Sequence, residues 1–68
     1  MHKISRIEFE NLSLDEQSEL LTNQGQYLSW RSEGEYNIYL YELDDFFAQA
    51  WMNIKLGKII RIECSKKG

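Results

Sequence analysis

"YNIYLYELDDFFAQAWM", residues 36–52, sets three tyrosines, two phenylalanines and a tryptophan in seventeen positions. Its alternation reads as two β-strands, about 36–43 and 46–52, turning back at Asp44 and Asp45. Successive strand residues point to opposite faces of a sheet. A one-residue change of pairing therefore moves a whole set of rings from one face to the other. The register of this hairpin decides which residues form the core.

Two registers compete. With a two-residue turn at Asp44–Asp45, Leu43 pairs with Phe46 and Leu40 with Gln49, and both faces mix apolar with polar residues. With a three-residue loop, 43–45, ending in a left-handed residue, Glu42 opposes Phe46, Leu40 opposes Ala48 and Ile38 opposes Ala50. One face then carries Tyr36, Ile38, Leu40, Phe46, Ala48, Ala50 and Met52. The other carries Tyr39, Tyr41, Phe47, Gln49 and Trp51. The second register separates the residue types better and is the expected one. It asks Asp45 to adopt a left-handed conformation, which Asp tolerates better than most residues.

Further strands are expected at about 27–32 and 58–64, set off by turns containing Gly34 and Gly57. Short links between consecutive strands make an antiparallel meander. A five-residue loop at 53–57 opposes Ala50 to Ile60, Ala48 to Ile62 and Phe46 to Cys64. On the far face it opposes Trp51 to Ile59, Gln49 to Arg61 and Phe47 to Glu63. Strand 27–32 is expected to add Leu28 and Trp30 to the covered face.

Upstream, Arg6–Glu10 alternates like a strand. Ser5 and Glu8, however, have capping-box spacing, with Ile4 and Phe9 placed as a hydrophobic staple, so a short helix over about 6–11 is favoured. Ser13 and Glu16 repeat the box before a second helix, about 14–24, with Asp15, Glu16 and Glu19 in its N-terminal half. Gly25 is expected to end that helix at positive φ. The helices would present Phe9, Leu12, Leu14, Leu20 and Leu21 to one surface. The fold class is therefore α+β: two short N-terminal helices packed on one face of a four-stranded antiparallel β-meander.

The totals agree with a single domain over 1–68. A chain this short buries a modest core, and disulfides, metals or self-association are the usual supplements. Cys64 is the only cysteine and His2, near a chain end expected to fray, the only histidine. An intrachain disulfide and a Cys/His zinc site are excluded. There is no proline, no repeat and no apolar run near the roughly 20 residues of a membrane span. "MHKISRIEFE" lacks a signal-peptide apolar region, so an untargeted cytoplasmic protein is expected. The net charge is −3, yet residues 54–68 hold Lys55, Lys58, Arg61, Lys66 and Lys67 against Glu63 alone.

No catalytic constellation can be assembled. Glu42, Asp44 and Asp45 match no calcium loop, Cys64 lacks a histidine base, and the glycines are isolated turn or terminal residues. A non-enzymatic domain without metal or cofactor is expected. The uncovered face, Tyr39, Tyr41, Phe47, Trp51, Ile59 and Arg61, is the candidate binding surface, for a second copy or another protein. Its bland alternative is cross-strand stabilisation of the sheet itself. Single-stranded nucleic acid, with rings stacking bases and Lys55, Lys58 and Arg61 meeting phosphates, is the second candidate partner; the acidic balance argues against it.

"IYLYELDDFFAQAWM" followed by "KIIRIE", with the upstream "FENLSLDEQSELL" and Gly25, resembles a set of short uncharacterised bacterial proteins, mainly from Bacteroidetes. The likeness covers most of the chain. Members commonly carry glycine at the position of Asp45 and larger β-branched residues at those of Ala48 and Ala50. The resemblance implies the same helices and hairpins; it brings no activity, cofactor or site.

Overall fold

The computed structural model describes residues 4–67, so His2 and Gly68 lie outside the described residues. Two helices, α1 (Arg6–Glu10) and α2 (Leu14–Gln24), precede four strands: β1 (Gln26–Glu33), β2 (Tyr36–Glu42), β3 (Phe46–Asn53) and β4 (Lys58–Lys66). The strands form one antiparallel sheet in the order β1-β2-β3-β4. The α+β meander expected from the sequence is present.

Both helix starts follow from their capping boxes. Ser5 Oγ accepts from the Glu8 amide at 3.2 Å while Glu8 Oε1 accepts from the Ser5 amide at 3.0 Å. Ser13 and Glu16 repeat this at 3.2 and 3.0 Å. Each box satisfies two backbone donors at a helix start. The backbone and hydroxyl hydrogen bonds from Ser13 lower the Glu16 pKa. The contribution of that carboxylate is thus present at neutral pH and is lost as pH falls through its folded-state pKa. The helices are tied together by Gln17, buried between them, whose Nε2 donates to the Phe9 carbonyl at 2.8 Å.

Gly25 ends α2, but not at positive φ as expected. Its backbone is extended, φ −76° and ψ 147°. What it supplies is space: a Cβ there would lie 2.8 Å from the Leu21 carbonyl oxygen and 3.3 Å from a ring carbon of Tyr41. The positive φ values belong to Gly34 and Gly57, in the turns flanking β2 and β4.

The central register is the one the sequence reading set aside. Leu40 pairs with Gln49, Tyr41 with Ala48, Tyr39 with Ala50 and Ile38 with Trp51. The Leu43 amide donates to the Phe46 carbonyl at 2.9 Å, closing a two-residue turn at Asp44–Asp45. Among the described residues no non-glycine takes positive φ, so Asp45 is not left-handed. The reason lies in burial. Leu43 is 7% and Phe46 0% exposed, both in the core with Phe9 and Leu21. A three-residue loop would have pulled Leu43 out of that core, at a cost of roughly 1.5–3 kcal/mol, and strained Asp45 as well.

The core therefore joins Phe9 and Leu21 of the helices to Leu43, Phe46, Ala48 and Ala50, with Tyr39, Tyr41, Ile59, Ile62 and Cys64 packed around them. The Phe9 and Phe46 ring centroids lie 5.4 Å apart. On β3, Phe46, Ala48 and Ala50 face the helices as expected. On β2 the faces are exchanged: Tyr39 and Tyr41 join the helix side, while Ile38 and Leu40 lie opposite Trp51 and Gln49 on the other. In the last hairpin Ala50 pairs with Ile62 and Ala48 with Cys64, two residues on from expectation, because the turn at 54–57 is shorter and a register shift falls between Trp51 and Met52. Ile62 and Cys64 still pack on the core, but Ile60 is 40% exposed and Ile59 moves to the helix side. Leu14, Leu28 and Trp30, expected under cover, are exposed.

Gly25→Ala is expected to cost about 1–3 kcal/mol through overpacking against Leu21 and Tyr41. Gly34→Ala, in open space but at φ 60°, should cost about 1–2 kcal/mol from left-handed strain alone. Urea midpoints measure both, and a neutral Gly25→Ala would show that the close approach constrains nothing.

Candidate association surface

The six candidate residues do not share a face. Tyr39, Tyr41 and Ile59 pack on the helix-side core, and Phe47, Trp51 and Arg61 stand on the opposite face. The continuous aromatic face expected from the sequence is therefore divided, as a direct result of the β2–β3 register. The structure brings together Trp51 and Arg61, directly paired across β3 and β4, with the guanidinium 4.3 Å from the ring centroid.

The face away from the helices covers itself. Ile38 is 1% exposed there, flanked by Trp51 on β3 and Arg31 on β1. Tyr36 meets the Trp51 ring edge-on at 5.7 Å. Lys67 lies 5.7 Å from the Phe47 centroid and pairs with Glu42. Arg31 reaches Gln49 at 3.3 Å and Glu33 at 3.4 Å, and Arg61 pairs with Glu63 at 3.3 Å. Such exposed ion pairs are individually weak, and each cation–ring contact contributes about 0.5–1 kcal/mol. Together they occupy both the rings and the cations of this face. One donor is left over: Trp51 Nε1 is buried without an acceptor, at a cost of about 1–3 kcal/mol.

The uncovered surface lies elsewhere. α2 has 11 residues and α1 five, and both lie over β4 more than over any other strand. The helical layer is therefore offset toward β4 and away from β1. β1, at the far edge, is exposed at all eight residues. Tyr27, Leu28 and Trp30 are 49%, 41% and 57% exposed. Tyr27 pairs with Tyr41 and Trp30 with Tyr39, so both belong to the helix side, beyond the helices' reach. Tyr27 packs against the Tyr39 and Tyr41 rings at 6.5 and 5.8 Å, and these rings form a shelf descending from the core to the sheet edge.

The sequence places a strand at about 27–32 but with Leu28 and Trp30 on the covered face, so β1 does not stand out there as a surface. A signal was nevertheless available. Gln26–Trp30 carries no charge, whereas the other edge strand, β4, carries Lys58, Arg61, Glu63 and Lys66. Natural sheets guard exposed edges with charged residues, lysine above all. By that measure β4 is guarded and the first five residues of β1 are not.

Other candidate chemistry is sparse. Burial of Cys64, reinforced by Glu10 against a smaller opposing effect of Arg6, pushes its thiol up to about 11. Among the described residues no group of three or more His, Cys, Asp or Glu side chains is placed to hold a metal, and no helix is long and apolar enough to cross a membrane. Leu12, Glu16, Glu19, Leu20, Asn23 and Gln24 line a shallow groove along α2. Comparison with protein-family models, curated proteins and solved structures finds no match.

Two measurements check this geometry. With Trp30→Phe, the remaining Trp51 should emit to the blue and resist acrylamide; with Trp51→Phe, the remaining Trp30 should emit to the red and quench readily. The reverse pattern would contradict the register. Alkylation of Cys64 at pH 8 should be at least about tenfold slower than that of an unhindered thiol and should accelerate as pH rises toward about 11. The folded state holds this proton more tightly than the unfolded chain, so its stabilising contribution is full below the unfolded pKa near 9 and fades as pH approaches the folded value.

Proposed function

We propose that this chain is a small, non-enzymatic protein-association domain whose contact surface is the β1 edge with the adjoining shelf of Tyr27, Trp30 and Tyr39. The observation that carries this reading is an eight-residue edge strand exposed throughout, with three large apolar side chains and no charge over its first five residues. An edge strand presents unpaired amides and carbonyls, which another strand satisfies. Addition of a strand is a recurrent mode of protein recognition: the backbone supplies affinity and the flanking side chains supply selectivity. A reducing cytoplasm suits the lone Cys64 thiol.

Single-stranded nucleic acid draws less support. Stacking needs ring faces open to bases and cations open to phosphates. On the face away from the helices Arg61 lies over Trp51, Lys67 is near Phe47, and both cations also pair with carboxylates.

A photo-crosslinking residue at position 28 should give protein adducts in cells producing the domain, and one at position 49 should not. Adducts from 49 alone would sink this reading. Titration with a single-stranded oligonucleotide at low salt should leave tryptophan fluorescence unchanged. Quenching that weakens as salt rises would replace protein association with nucleic-acid binding.

A further inference from the structure

We infer that the occupant of the β1 edge is a second copy of this chain, paired antiparallel along the Trp30–Ser32 segment; the inference rests on the association reading above. Three observations converge on a second copy. First, β1 is electrically neutral, with Arg31 and Glu33 as its only charges, on a chain of net charge −3. Two copies of this strand can meet without the repulsion that other surfaces of so acidic a chain would bring.

Second, antiparallel pairing of two copies is self-complementary over the Trp30–Ser32 segment. A two-fold axis perpendicular to the sheet keeps the helices of both copies on the same side. It pairs each residue with one whose side chain points to the same face. β1 is regular from Ser29 to Glu33, after the register shift between Tyr27 and Ser29. An axis at Arg31 would oppose that cation to itself, which is destabilising. An axis at Trp30 opposes Ser29 to Arg31 of the other copy and brings the two indoles together, and an axis at Ser32 opposes Arg31 to Glu33 of the other copy twice. In neither are like charges directly opposite, and both keep Trp30 at the junction.

Third, the alternative edge contact, β1 of one molecule on β4 of the next, would propagate without closing. β4 offers Lys58, Arg61 and Lys66 along its length, the kind of edge that resists strand addition. The β1 pairing instead closes at two copies, giving one continuous eight-stranded sheet with both guarded β4 edges outermost.

The junction is small. A buried indole contributes roughly 150–250 Å², and stable interfaces bury about 1,200–2,000 Å² in total. The dimer is accordingly weak, with dissociation in the micromolar to millimolar range.

Sedimentation velocity up to about 1 mM, where even weak pairs populate, tests the inference on the full chain. The expected result is a mass that doubles with concentration. Trp30→Lys should remove the dimer, while Ile60→Lys, on the opposite edge, should leave it within twofold of wild type. Far-ultraviolet circular dichroism establishes that both variants remain folded, and Trp30→Ser replaces Trp30→Lys if the latter does not. Amides of β1 in wild type should gain exchange protection at high concentration. A wild type that stays monomeric throughout overturns the second-copy inference, as does a dimer that survives both Trp30 variants. If position 28 still crosslinks to a different protein in the monomeric case, the association reading stands without the dimer; if it crosslinks to nothing, both fall.

Discussion

One hydrogen bond summarises what this fold depends on: the Leu43 amide to the Phe46 carbonyl across the Asp44–Asp45 turn. It keeps Leu43 and Phe46 together in the ladder and sends both under Phe9. From that point the alternation of β2 is committed. Tyr41 and Tyr39 go to the helix side over Ala48 and Ala50, and Leu40 and Ile38 go to the other side over Gln49 and Trp51. The small alanines leave room for the rings and helix side chains above them, consistent with Ala48 and Ala50 being wholly buried. Gly25 completes the arrangement by letting the end of α2 approach Tyr41 closely.

The two faces are stabilised by different physics. On the helix side, apolar burial dominates, with Phe9 and Phe46 in contact and Leu21 beside them. On the other, a single buried aliphatic residue, Ile38, is sealed by an aromatic ring that is itself covered by an arginine. Guanidinium groups suit this task because they are planar and weakly hydrated, so they lie on a ring at little desolvation cost. Small domains seldom cover both faces of a sheet with secondary structure. Here amphipathic side chains do the second half of the covering, with apolar stems and rings inside and charged heads in water.

That division leaves β1 as the strand that the helices do not cover. Sixteen helical residues sit over the β4 end of the sheet, and β1 lies farthest from them in the strand order. Its exposed tyrosine and tryptophan continue from the core through Tyr41 and Tyr39. The offset of the helices toward β4 leaves open the edge proposed for association.

Local signals in the sequence were enough for the elements themselves. Two capping boxes set the helix starts, and alternation with glycine-bearing turns set four strands and their meander order, because these depend on residues within a few positions of one another. The inward direction of Phe46, Ala48 and Ala50 was legible for the same reason. The partner face of β2 was not. Tyrosine is stable half-buried on either face, so sorting by polarity could not distinguish Tyr39 and Tyr41 from Ile38 and Leu40. Only the tertiary packing of Leu43 and Phe46 beneath Phe9 decided it, and with it the separation of Tyr39, Tyr41 and Ile59 from Phe47, Trp51 and Arg61. The reach of the helices was likewise a tertiary matter, because it depends on how two separate layers are offset, a quantity that residue spacing along one chain does not encode.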